Sequence, residues 1–284
     1  MRILLATAVA IAPLMAAAGA VQAQVVISSE RTTPIATANA NNGAAADVQI
    51  KTGGNVKVTN GAAVTVNSDN DLDIDSGGSI TMTDAADGAT GVLVEGGNAA
   101  SVTIGGAITI TDSLDNDDYE DTDEDGDLDG DFAAGTGRYG VRVTGDEALT
   151  GDLLVERTAA IRVEGNDSYG ISVESDLDGD LTNLGTVNAL GNNSTAINVS
   201  GDVSGDVVVA GTVAATGANA TGVSLTGDVG GALVIHSSVT TTGYRYTTPP
   251  PAKPTEGTVD EEDLYLEDLD EDDLLQGGPA VHVA

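Results

Sequence analysis

Five aspartates, Asp121, Asp123, Asp125, Asp127 and Asp129, alternate with other residues around Gly126. In this 284-residue chain they are the stretch whose types and spacing specify a chemistry. Carboxylates at alternate positions converge on one hard cation, and glycine at the sixth place permits the sharp turn that brings them together. Position twelve, where a bidentate glutamate would complete the shell, is Phe132. The pattern thus departs from the EF-hand, and no flanking helices are evident. The expected cofactor is calcium, held weakly by these five aspartates, roughly in the 10⁻⁴ to 10⁻³ M range of extracellular modules. The competing reading is a solvated acidic loop.

Catalytic constellations are not offered. His236 and His282 are the two histidines, both within strand-like segments, and read as structural. Arg142 and Arg162 stand beside acidic neighbours such as Asp146 and Glu164. Clustered on one face, they would suit a solenoid polysaccharide-degrading enzyme, but the chain is expected not to be an enzyme. Gly-Asp pairs recur at Gly151/Asp152, Gly179/Asp180 and Gly205/Asp206. They read as turn residues in register, with a cation-collecting ladder of outward carboxylates as the alternative.

The elements that position these residues are announced by a repeat. Residues 169 to 194, 195 to 220 and 221 to 243 share a 26-residue period. Ile171, Ile197 and Val223 form one apolar column; Leu181, Val207 and Leu233 a second; Val187, Val213 and Val239 a third. Each column lies in a short run rich in Val, Ile, Thr and Leu with period-2 alternation, and Gly, Asn and Asp fill the gaps. Three strands of this size cannot bury their inner faces alone. Stacking at about 4.8 Å per coil closes a continuous core. The expected fold is an all-β, right-handed parallel β-solenoid (β-helix) with coils of about 26 residues. Helix is disfavoured by the recurring glycines. An antiparallel sandwich would not keep identical register between successive triplets.

Upstream, the third column continues through Ile161, Ile108 and Ile80, and the first through Val141 and Val92. The phrase around Val64 reads as an earlier coil. The jumps from Val92 to Val141 and from Val223 to Val281 mark two insertions at the same turn. One spans 112 to 138, the other 244 to 278, separating coils at 24 to 111, 139 to 243 and 279 to 284. Acid is concentrated in them: 12 acidic residues lie between Asp112 and Asp131 and 11 between Glu256 and Asp273, of 45 in all. The second insertion opens as a proline-rich spacer and continues as an acidic arm carrying Leu264, Leu269 and Leu274. A net charge of −35 disfavours nucleic acid and anionic membranes as partners.

Residues 1 to 23 read as a signal peptide: Arg2, an apolar run, then Val21-Gln22-Ala23 as a small-x-small cleavage site. The chain has no cysteine, which suits passage through an oxidising compartment. An exported protein is expected.

The leader, the coils of the form YGISVE…GDLTNLGTVNALG, the TGYRYTT phrase at 242 to 248 and the closing DDLLQGGPAVHVA resemble passenger regions of alphaproteobacterial autotransporter proteins. The resemblance covers most of the chain after the leader. It implies export to the periplasm, passage through the outer membrane by way of a C-terminal translocation β-barrel, and display at the cell surface or release. No barrel segment is present in this sequence, so the barrel is expected downstream and the chain reads as the N-terminal part of a longer passenger. Adhesion to a surface ligand of unknown identity is the implied work. The acidic loop is also similar to the short D-x-D-x-D-G-x-x-D loops of extracellular calcium-binding repeats. A calcium-binding matrix or surface-layer solenoid is the second reading.

Overall fold

The computed structural model describes residues 23 to 114, 130 to 243 and 277 to 284. The short strands, separated by glycine- and asparagine-rich turns, each pair in parallel with the strand one coil away. The result is a parallel β-solenoid of three eight-stranded sheets. The first face contains Ala62–Val66, Thr90–Glu95, Tyr139–Thr144, Tyr169–Val173, Thr195–Val199, Thr221–Leu225 and Val281–Val283. The second includes Val102–Ile104, Leu153–Val155, Leu181–Asn183, Val207–Val209 and Leu233–Ile235. The third includes Ala107–Ile110, Ala160–Glu164, Thr186–Leu190, Thr212–Thr216 and Ser238–Thr242.

The sequence columns are the register of these sheets. Ile171 pairs with Ile197 and Ile197 with Val223; Leu181 pairs with Val207 and Val207 with Leu233; Val187 pairs with Val213 and Val213 with Val239. Upstream, Ile80, Ile108 and Ile161 align on the third face, and Val64, Val92 and Val141 on the first. Val281 pairs with Val223, so the chain resumes the first face after the second insertion. Both insertions therefore leave the coil between a third-face strand and the next first-face strand.

Inward-pointing residues from the three faces make one apolar interior, with Ile74, Ile108, Val141, Ile171, Val187 and Val207 all fully buried. Strand residues alternate between this interior and solvent, so the outside carries the polar complement. A fourth, smaller column fills the corner between the first and second faces. Leu149 pairs with Leu177, and isolated bridges continue it through Val203 to Val229.

The corners hold the coils in step. Between the first and second faces, the Asp180 N–H donates to Asp152 Oδ1 at 2.9 Å, Asp206 N–H to Asp180 Oδ1 at 2.8 Å, and Ala232 N–H to Asp206 Oδ1 at 2.7 Å. A parallel series links Asp202 N–H to Asp176 Oδ1 and Asp228 N–H to Asp202 Oδ1. Between the third and first faces, asparagines do the same: Asn192 N–H donates to Asn166 Oδ1 and Ala218 N–H to Asn192 Oδ1. Asn193 and Asn219 there sit at φ of 56° and 57°, a left-handed conformation that asparagine tolerates. Every such bond gives a turn N–H, which no strand partner reaches, an acceptor one coil away.

Candidate functional site

The aspartates Asp121, Asp123, Asp125, Asp127 and Asp129 lie outside the described residues. The structure does show how the coil carries the insertion that contains them. Asp112, buried at 6% exposure, accepts the Leu114 N–H on Oδ1 at 3.0 Å and the Ala134 N–H on Oδ2 at 2.6 Å. Its own N–H donates to Glu164 Oε2 at 3.1 Å. On the returning side, Arg138 is only 3% exposed and spreads its guanidinium over four backbone carbonyls: Ala85, Ala86, Ala134 and Glu164. A buried cation is tolerable only when its donors are filled, and here carbonyl oxygens fill them. Phe132 and Ala133 are buried beside this clasp. Departure and return of the insertion are thus fixed on one base, which spans three coils.

The second insertion is anchored differently. Thr241 Oγ1 donates to the carbonyl of Gly278 at 2.8 Å, and the Gly278 N–H donates to Ala220 O at 2.7 Å. Its feet too are pinned to the coil. Its interior, with the proline-rich spacer and acidic arm, lies outside the described residues, as do residues 1 to 22 of the expected leader.

The remaining candidates are kept apart by the fold. Arg142 projects from the first face, where it forms a bidentate pair with Glu174 and lies 4.3 Å from the centre of the Tyr139 ring. Tyr139 stacks on Tyr169 of the next coil, with ring centres 5.1 Å apart. The Arg142 pKa is pushed up, chiefly by its hydrogen bonds to Glu174, and burial pushes the Tyr139 phenol up. Arg162 projects from the third face and pairs with Glu164. His282 lies on the last first-face strand, and His236 at the corner between the second and third faces. Arg142 and Arg162 do not form the joint cluster that a polysaccharide-degrading site would need. Among the described residues, no group of three or more His, Asp or Glu side chains is placed to hold a metal ion. The Gly-Asp pairs are turn residues whose carboxylates cap the next coil.

Arg138 and Asn183 are among the features that escaped the sequence reading. Arg138 carries no sequence signature, because its partners are backbone oxygens, between 4 and 53 positions away, that no residue type marks. Asn183 occupies an inward position of the second face at 1% exposure, and neither amide atom has a hydrogen-bond partner. Its column neighbours are Val155 and Val209, so a break in the apolar column was the available signal.

The class the fold defines is the parallel β-solenoid. No family model, curated protein or solved structure matches the chain.

Proposed function

We propose that this chain is the exported, surface-displayed passenger portion of an autotransporter-like protein. The solenoid is a shaft, and the two insertions are the parts that meet a surface ligand. The observation that supports this reading most is the placement of the insertions. Both leave the shaft at the corner between the third and first faces, and both have their feet fixed by hydrogen bonds to the coil. Loops raised from one edge of a solenoid form its common binding edge. A translocation β-barrel downstream is the partner this reading requires. The work is adhesive, not catalytic, in keeping with the separation of Arg142 from Arg162.

The test is to replace 115 to 129 and 244 to 276 by short Gly-Ser links, leaving Asp112, Arg138 and Gly278 in place. The links should preserve the coil's circular dichroism and abolish attachment of displaying cells to their target surface. Attachment that survives both replacements would contradict the assignment of binding to the insertions. A second reading, a calcium-dependent surface-layer solenoid, is favoured by the Asp121 to Asp129 spacing. Calcium titration of the intact chain and of Asp123→Asn tests it: millimolar affinity lost in the variant supports it, and no binding heat removes it.

A further inference from the structure

The corner between the second and third faces carries an open groove of about 420 Å³ that no part of the reading above uses. Its walls include Arg157, Gly185, Thr186, Gly211, Thr212 and His236. The groove arises from a mismatch in turn length. Five coils turn this corner in two residues, as at Leu184-Gly185 and Ala210-Gly211, whereas three take four, at 51 to 54, 75 to 78 and 156 to 159; the last of these is followed only by two-residue turns. The longer turn overhangs the glycine-floored turns below it.

That overhang also separates two opposite charges. Glu156 leans upstream: a Cβ placed at Gly105 would lie 2.6 Å from Glu156 Oε2, and the Glu156 charge is felt by Asp73. Arg157 faces the groove, is exposed, and makes no hydrogen bond or ion pair with any described residue. At the far end stands His236, also exposed. In the coils that follow Glu156, the described residues at this corner carry no carboxylate. No Asp or Glu occurs from Leu181 to Gly201, from Val207 to Gly227, or from Val229 to Gly243. In those coils the acids are confined to the opposite end of the second-face strands, at Asp176 to Asp180, Asp202 to Asp206 and Asp228. A three-residue strand puts about 10 Å between the two corners. That is about one Debye length in physiological salt. Among the described residues, this strip on the flank of a chain of charge −35 thus presents Arg157 without a neighbouring carboxylate downstream of Glu156.

We propose that this groove binds a linear acidic glycan. Arg157 offers a planar fork for a carboxylate or sulfate. The hydroxyls of Thr186 and Thr212, which line the groove, offer donors and acceptors for sugar hydroxyls. Coils follow each other at about 4.8 Å, close to the rise of one pyranose unit in an extended chain, so successive sugars meet equivalent turns. An acidic peptide fits less well, since the lining supplies no apolar pocket for alternate side chains. The site lies on the shaft, at a different corner from the insertions, and is independent of their proposed role.

The experiment is calorimetric titration of the full chain with an oligogalacturonate hexamer, a heparin-derived hexasaccharide, a neutral cellohexaose and a polyglutamate of matched charge. One or both acidic glycans should bind, and comparing them decides between carboxylate and sulfate; cellohexaose should be at least tenfold weaker. Arg157→Glu should weaken binding at least tenfold, and Thr212→Trp, which fills the groove, should do the same. Both positions are exposed, and unchanged melting temperatures would show that the fold survives. Failure of both acidic glycans to bind at millimolar concentration, wild-type affinity in both variants, or equal binding of polyglutamate would overturn the proposal.

Discussion

Asn183 puts a polar amide inside an apolar column without a partner, and an unmet buried polar group costs about 1 to 3 kcal/mol. Valine stands above and below it, at Val155 and Val209, and is close to it in volume. Asn183→Val is therefore expected to stabilise the coil by about 1 to 3 kcal/mol in urea unfolding, and an unchanged or lower midpoint would refute this. A second residue-scale prediction concerns charge. The Asp73 pKa is raised above its ordinary value of 3.8 by burial, with Asp75 and Glu156 adding to the effect. A carboxyl whose folded pKa is raised favours folding while protonated. Its contribution is full below the unfolded value and is lost as pH rises through the folded one. Asp73→Asn mimics the protonated form, so it should raise the melting temperature at pH 7 and lose that advantage below about pH 3.8. A gain that is the same at pH 7 and pH 3 would point to packing instead of charge.

At the scale of the coil, the aspartate corner is a set of caps that work across coils. Asp206 accepts from Ala232 N–H, while its own N–H reaches Asp180. Asp206→Ala leaves the Ala232 N–H to water and should cost about 1 kcal/mol. Asp206→Asn removes the same charge as alanine but keeps an acceptor oxygen for the Ala232 N–H, so it should cost less than alanine. Equal losses in the two variants, measured by thermal melts at 10 and 300 mM salt, would contradict the capping role. The three main columns were legible because Val, Ile and Leu recur at a fixed step in residues 169 to 243. The fourth was not read, although Leu177, Val203 and Val229 keep the same step, because its strands are two residues long or single bridges flanked by aspartate. The clasp at Arg138 was illegible for a different reason. A side chain satisfied by main-chain oxygens leaves no complementary residue type to find. The carboxylate-free strip beside Arg157 stands in the sequence, yet it gains meaning only once the coils place those segments side by side. The aspartates from Asp121 to Asp129 were legible as a motif, and the structure adds only the base from which their insertion leaves.

For the whole molecule, a continuous apolar interior under parallel sheets makes a stiff shaft, and its outer surface divides by corner. Insertions rise from one, aspartate caps line a second, and the third holds a polar groove free of carboxylates. Such a division has a use if the shaft stands outside the cell with each corner accessible. The measurement that tests this account most directly is labelling of intact Gram-negative cells producing the protein from its complete gene, with an antibody against residues 139 to 243. The account predicts labelling, and loss of the signal to added protease, without permeabilising the outer membrane. Labelling that requires permeabilisation, with full protection from external protease, would contradict it.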